Sequence, residues 1–422
     1  MPEQAIETAA STPKRPLPKS RVMVNEQIEK VYADAWEAKR QGKPVGWSTS
    51  IFPQEICETF GVPVLYPENN AAANGAKRYG DPLIEHAEGK MRFPANICSY
   101  ARLNLGMADL FDQDFPLDPA MPRPDFLLLA NNSCTQLIKW YENLARNLNI
   151  PIFFLDCLFN YNEEEPAPYK IKYVRRQLDD HIKNMEAFLG RKLDWDKFVE
   201  IQKISRKNCE LFVKVGSLNS HVPAPLSGFD LFNYMAPLVM CRGKEATTAS
   251  LLQLEVEMKE HIANNTSTFP TKEEFRVQWE GIACWANLSA SLKTLKKYGV
   301  NAVMNGYVTA WNVKYEPGDL DSFARAYMFS SSGSFNTSAI MKKRMDNIKQ
   351  FSCEGMLCHL NKSCKVACFN ILIGREIVER ELGVPCVSFD GDQTDSTIFN
   401  EAQYETRIQG MVEIMKERKN AK

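Results

Sequence analysis

Long apolar stretches are missing from this sequence. The longest, around residues 126–130 and 150–159, fall far short of the ~20 residues that a membrane-spanning helix needs. The first 22 residues have no apolar core of the kind a secretory signal carries, and Glu3 and Glu7 argue against a transit peptide. Rich in Pro, Ser, Thr and Lys, they read as a disordered tail. A cytoplasmic location is expected, with no membrane contact. An excess of one charge is missing too: 51 Lys and Arg stand against 52 Asp and Glu, so there is no electrostatic drive towards nucleic acid. The five histidines are dispersed, and no H-E-x-x-H brings two of them onto one helix face. No Cys-x-x-Cys occurs, which excludes zinc ribbons and ferredoxin-type cluster motifs. Neither a G-x-G-x-x-G after a strand nor a G-x-x-x-x-G-K-[ST] is present, so no nucleotide-binding loop is visible. The string from Asp390 to Asp395 misplaces the ligands of an EF-hand, and Gly46-Trp47-Ser48-Thr49-Ser50 lacks the second glycine of a nucleophile elbow.

Cysteine, by contrast, is plentiful: twelve are scattered over the whole length. A disulfide framework belongs to small secreted chains, which this is not. Most of the twelve read as small buried hydrophobes. Cys157 and Cys386 sit in apolar strand-like runs and Cys209 in a helical pattern; the cysteines at turns are the ones that could do chemistry.

The chain alternates between two periodicities. Residues 25–41 read as a helix with an apolar stripe of Ile28, Val31, Tyr32 and Ala35, stopped by Gly42 and Pro44. Strand-like runs follow at 44–50, 62–66, 125–130 and 151–155, with helical patterns such as 54–60 between several of them. From 169 to 265 the pattern is helical, one long stripe ending near Gly190. Strands return at 302–308, 355–360 and 386–389, with helices at 322–328, 365–381 and 402–418. Strands alternating with helices imply parallel βαβ units. The expected fold is therefore α/β: two parallel-sheet domains, 23–165 and 276–422, with a helical segment, 166–275, between them. No repeat of solenoid period is visible.

In parallel sheets, ligands bind beyond the carboxyl ends of the strands, so the residues following each strand are the site candidates. The first strand ends at Ser50, the second leads to Glu68, the third to Cys134, and one in the last third to Cys364; Cys98 occupies a further turn. Cys134 and Cys364 stand where helices start, and a helix dipole lowers a thiol's pKa. Such thiolates suit a metal cluster or a nucleophile, and three from separate loops would leave one iron of a cubane open to substrate. The plainer readings are cysteines that only pack, Ser50 as a cap of the helix after Pro53, and Glu68 as a solvated loop residue. His359, near a candidate strand end, reads as structural.

Several strings, in one order, carry more information than any single spacing: PVGWSTSIFPQE, VLYPEN, NICSYAR, NNSCTQLIKWYEN, GFDLFNYMA, EGIACW, HLNKSCK and FDGDQTD followed by ETRIQGMVE. Together they resemble the 2-hydroxyacyl-CoA dehydratase family, which includes benzoyl-CoA reductase subunits, over about residues 24–419. The resemblance is to the α-subunit side, of the 2-hydroxyisocaproyl-CoA and lactoyl-CoA type. It implies a [4Fe-4S] cluster held by Cys98, Cys134 and Cys364, with its fourth iron facing substrate. It implies Ser50 near that iron and Glu68 handling a proton. Cys353, Cys358 and Cys368 are read as non-ligands because the matched string is NKSC.

The implied reaction removes water from an (R)-2-hydroxyacyl-CoA thioester to give a 2-enoyl-CoA. The β-hydrogen of such a thioester is not acidic. One electron, delivered by an ATP-hydrolysing iron–sulfur activator, would turn the thioester carbonyl into a ketyl radical anion that expels the hydroxyl. A homologous β subunit completes the expected heterodimer. Three alternatives stay open at this point: an aromatic acyl-CoA reductase subunit, a non-catalytic electron-transfer subunit, and a radical-free metal hydratase. The sequence does not name the acyl chain: lactoyl, 2-hydroxyisocaproyl, phenyllactyl and 2-hydroxyglutaryl stay open, with a small or apolar side chain preferred.

Overall fold

In a computed structural model, residues 16–111, 113, 117–161, 165–306, 308–329 and 336–421 are described. Among them, eight short strands build two four-stranded sheets, parallel throughout. The first contains β1 (Gly46–Ser48), β2 (Val64–Leu65), β3 (Phe126–Ala130) and β4 (Ile152–Leu155), in the order β2-β1-β3-β4. The second contains β5 (Phe275–Glu280), β6 (Val300–Asn305), β7 (Gly355–Asn361) and β8 (Cys386–Gly391), in the order β6-β5-β7-β8. The two sheets thus share one winding. The opening strand lies inside, the second goes to one side, and the third and fourth go to the other. Strand order reverses between β1 and β3, and again between β5 and β7; at each reversal the connections diverge and leave a crevice. The α/β fold with two parallel sheets expected from the sequence is what forms.

Burial explains most strands. β3 reads FLLLA and is buried along its whole length, as a strand covered on both faces must be. β5 falls outside the strand-like runs read from the sequence, although it reads FRVQWE and alternates Phe275, Val277 and Trp279 with Arg276, Gln278 and Glu280 as a half-buried strand does. All six residues are buried, on both faces. Arg276 is tolerated because its guanidinium donates to the carbonyls of Phe351 at 2.9 Å, His221 at 2.9 Å and Asn219 at 2.8 Å, and pairs with Glu273 at 2.5 Å. The alternation does not show that the polar face is buried too, which hydrogen bonding makes possible.

Helices cover the sheets. The first spans Lys19–Arg40, which corrects the expected tail of residues 1–22: residues 19–22 are helical, and 1–15 lie outside the described residues. Ser20 is fully buried. Its N–H donates to Glu257 at 2.8 Å, and its hydroxyl meets that of Tyr234 at 2.7 Å. The early helix start follows from this docking, which residue periodicity near the terminus does not reveal. Between the sheets in sequence come the helices Pro168–Leu189, Trp195–Ser217, Gly228–Met240 and Glu245–Ala263. Gly190 closes the first of these at φ 66°, a left-handed position that glycine takes without strain. The first helix of the chain packs on the last two, so the helical segment clamps the N-terminal part rather than standing free. One hydrophobic core runs through both sheets, and a smaller one lies around β7 and the helices Thr337–Gln350 and Lys365–Leu382. Among the described residues no helix is long and apolar enough to cross a membrane.

Candidate functional site

The carboxyl ends of the two sheets face a single cavity of about 160 Å3. Seven strands deliver residues to it. Ser50 and Ile51 follow β1, Glu68 follows β2, and Ser133 and Cys134 follow β3. Glu280, Gly281 and Ile282 end β5, while Trp311, Cys364 and Gln393 follow β6, β7 and β8. Cys98, from the turn before the helix Ser99–Asp109, completes the set. All five residues singled out in the sequence therefore line one space, although they lie far apart along the chain.

Ser50 and Glu68 are in direct contact. The Ser50 N–H donates to one carboxylate oxygen of Glu68 at 2.7 Å, and the Ser50 hydroxyl donates to the other at 3.0 Å. Glu68 stands in the first turn of the helix Pro67–Ala76, with Pro67 pre-set for a helix start. Both Ser50 donors favour the carboxylate. Burial opposes them and is larger, so the carboxyl is pushed up to about 7. The plainer readings fail here. The helix Gln54–Phe60 has Pro53 at its N-cap and no side-chain cap, while the Ser50 hydroxyl donates to Glu68, and Glu68 faces the cavity rather than bulk solvent.

The three thiols sit at or just before helix starts. Cys98 and Cys364 immediately precede the helices Ser99–Asp109 and Lys365–Leu382, and Cys134 lies two residues before Gln136–Leu148. The lowering of pKa expected at Cys134 and Cys364 does not occur. Burial raises all three, Cys98 to about 12, although backbone N–H groups at each helix start pull the other way. A buried thiolate needs a compensating cation, and metal coordination supplies one. The amide donors are in place for it: the Gln136 N–H reaches the Cys134 sulfur at 3.4 Å, and the Gln393 side-chain amide donates to the Cys98 sulfur at 3.0 Å. Among the described residues no three His, Cys, Asp or Glu converge on a single ion; three thiols lining one cavity are a soft donor set of the kind an iron–sulfur cluster takes.

Sequence reasoning missed the parts that hold these thiols in register. The Ser99 N–H donates to the Ser363 hydroxyl at 3.1 Å, and the Ser363 N–H donates to Asp392 at 3.1 Å. Neighbours of Cys98 and Cys364 are thus tied together across the two halves. The FDGDQTD string, which runs from the end of β8 into the loop beyond it, held the only hint. Also missed were two further lining residues: Arg344, from the helix Thr337–Gln350, pairs with Glu280 at 2.6 Å, both buried. His359 is structural. It is fully buried beside Cys284 and the Ile282 carbonyl, does not line the cavity, and burial lowers its pKa. Cys353 and Cys358 are buried elsewhere, and Cys368 bonds the Asn361 carbonyl at 2.9 Å outside the lining.

Comparison with known proteins gives a consistent picture. The family model described as 2-hydroxyglutaryl-CoA dehydratase, D-component, matches residues 49–415. The (R)-2-hydroxyisocaproyl-CoA dehydratase alpha subunit of Clostridioides difficile is 44% identical over 406 residues, covering 95% of this chain and 97% of that one. The (R)-phenyllactyl-CoA dehydratase alpha subunit of Clostridium sporogenes is 42% identical, covering 92% of this chain and 93% of that one. One chain of the benzoyl-CoA reductase of Thauera aromatica is 22% identical, with 87% of each chain covered.

Proposed function

We propose a function from a plain premise: this chain belongs to the 2-hydroxyglutaryl-CoA dehydratase D-component family. It is an α-type subunit of a 2-hydroxyacyl-CoA dehydratase, a hydro-lyase. The finer reading is that it removes water from an (R)-2-hydroxyacyl-CoA by way of a one-electron-reduced thioester, at a [4Fe-4S] cluster held by Cys98, Cys134 and Cys364. The observation that carries it is the convergence of these thiols with the Ser50–Glu68 pair on one cavity at the carboxyl ends of both sheets. The aromatic-reductase reading is less favoured, since the (R)-2-hydroxyisocaproyl-CoA dehydratase chain is 44% identical to this one and the benzoyl-CoA reductase chain 22%.

A cluster at these thiols would supply a low-potential electron and a Lewis-acidic iron, which is what a ketyl radical anion at the thioester carbonyl calls for. The chain's own residues do the rest. With a carboxyl near 7, Glu68 is present in both protonation states at neutral pH, so its oxygens can accept a proton from the substrate carbon or return one to the leaving hydroxyl. Ser50 holds both carboxylate oxygens, fixing their direction, and its hydroxyl is free to turn to a substrate oxygen when Glu68 is protonated. The apolar walls exclude water, which protects a reactive radical from quenching.

The test is anaerobic. Protein purified without oxygen and reconstituted with a homologous β subunit and an ATP-dependent activator should convert a 2-hydroxyacyl-CoA to the enoyl-CoA, with about four irons per chain if one cubane is bound. Alanine at Cys98, Cys134 or Cys364 should lower the iron; alanine at Cys157 should not. Full iron in all three single variants would sink the cluster assignment, and a reduced aromatic ring as product would favour the reductase.

A further inference from the structure

The cavity lining includes the large apolar side chains Ile51, Ile282, Trp311 and Ile340. Ile51, Trp311 and Ile340 are at most 4% exposed, so the surface they present is fixed by packing. Among the described lining residues the only cation is Arg344, and it is already engaged. Its guanidinium pairs with Glu280 and lies so close to Gly306 that a Cβ there would overlap it. Two carboxyl groups, Glu68 and Glu280, share the same lining. We propose that this cavity selects 2-hydroxyacyl thioesters whose side chain is apolar and about the size of an isobutyl group or larger, and rejects those whose side chain ends in a carboxylate. The inference rests on the dehydratase reading and deepens it.

Two substrates isolate the charge. The side chain of 2-hydroxyisocaproyl-CoA, an isobutyl group, and that of 2-hydroxyglutaryl-CoA, a propionate, are close in size, so a difference between them reports the carboxylate. An ion moved from water to an apolar wall without a partner incurs a desolvation penalty that packing does not return. The carboxylated thioester should have a kcat/KM lower by on the order of a hundredfold or more. Lactoyl-CoA tests the filling. Its methyl lacks three carbons of the isobutyl group, and each buried methylene contributes about fourfold, so a deficit on the order of fiftyfold is expected.

The experiment is a panel of these three thioesters on the reconstituted anaerobic complex, with binding of each measured in parallel by calorimetry. Comparable kcat/KM or comparable affinity for the isocaproyl and glutaryl esters overturns the inference. So does a lactoyl ester that performs as well as the isocaproyl ester. Failure to dehydrate any of the three counts against the dehydratase reading instead, while the affinities still decide the selectivity. In Glu280→Gln the guanidinium of Arg344 loses its anion, and the glutaryl-to-isocaproyl ratio should rise about tenfold or more; an unchanged ratio removes the pair as the selector.

A separate observation concerns Gln393. It is 1% exposed and locked at both ends: its side-chain carbonyl accepts from Asn361 at 2.9 Å, and its backbone carbonyl accepts from the Trp285 N–H at 3.0 Å. That leaves the amide N–H aimed at the Cys98 sulfur, 3.0 Å away. We infer that Gln393 is a positioning residue that tunes the electron affinity of whatever the Cys98 thiolate binds. Hydrogen bonds to ligand sulfur stabilise the more negative, reduced state. Gln393→Leu removes the donor and Gln393→Glu replaces it with an acceptor. Redox titration followed by electron paramagnetic resonance should show a more negative midpoint in both, larger for Glu, with iron content retained. An unchanged midpoint in both variants overturns the inference, as does loss of iron from both in a chain that stays folded, since the residue would then be a structural prop.

Discussion

At the scale of single residues, Glu68 is the group whose behaviour depends most on its surroundings. Its carboxyl is held up near 7 by burial, against two hydrogen bonds from Ser50 that favour ionisation. A folded-state pKa above the unfolded value means that the folded chain binds the extra proton between about 4.5 and 7. The stability linked to that proton is therefore complete below about pH 4.5 and lost as pH rises towards 7. Glu68→Gln removes this titration, so the melting temperature of the variant should gain on that of the parent between about pH 5 and pH 8. If Glu68 moves the proton, turnover in the same variant should fall about a hundredfold or more, and an inflection near pH 7 in the rate profile should disappear. Normal turnover at normal iron content would take Glu68 out of the reaction. Ser50→Ala should be milder, because the backbone N–H of residue 50 still holds the carboxylate. Both residues could be named from their strand-end positions and the family strings. Their contact could not, because it depends on how β1 and β2 pair, Gly46 beside Val64 and Trp47 beside Leu65.

Among the elements, β5 shows what a pattern leaves open: its alternation marks a strand, but not that its polar face is buried as well. The other strands coincide with strand-like runs visible in the sequence, whereas β5 alternates Phe275, Val277 and Trp279 with three buried polar residues. It is nevertheless an inner strand, paired with β6 and β7, and it places Glu280 and Ile282 in the cavity. Arg276 joins it to the loop at Asn219 and His221 and to Phe351. Arg276→Ala would strand three carbonyls and the Glu273 carboxylate in the interior. Breaking a buried pair of this kind costs about 3–5 kcal/mol, so a marked drop in thermal stability is expected. Stability equal to the parent would show that water replaces the guanidinium. The helix starts at Cys98 and Cys364 teach a related lesson. Helix-end amides do favour a thiolate, yet burial of the thiols is the larger effect, and burial is not a local property of sequence.

For the molecule as a whole, two sheets of identical winding place their crevices against one another, and the site exists only where the two meet. Cys98 and Cys134 come from the first half and Cys364 from the second, and the Ser99–Ser363 hydrogen bond spans the join. With no nucleotide loop in the sequence, the proposed electron must be energised elsewhere. The isolated chain should accordingly be inactive, and activity should require the second subunit, the activator, ATP and a reductant together. Steady dehydration by the chain alone would refute that dependence. The sequence by itself determined the α/β class, most strands, the family and the five candidate residues, because apolar periodicity and ordered motifs are local and survive in one dimension. Only the tertiary structure decided that these five share a cavity, that Gln393 and the Ser363 tie hold the thiols, and that Arg344 is neutralised by Glu280. Each of those facts is a contact between segments far apart in the chain, and the burial that sets its strength exists only once both halves have closed around the site.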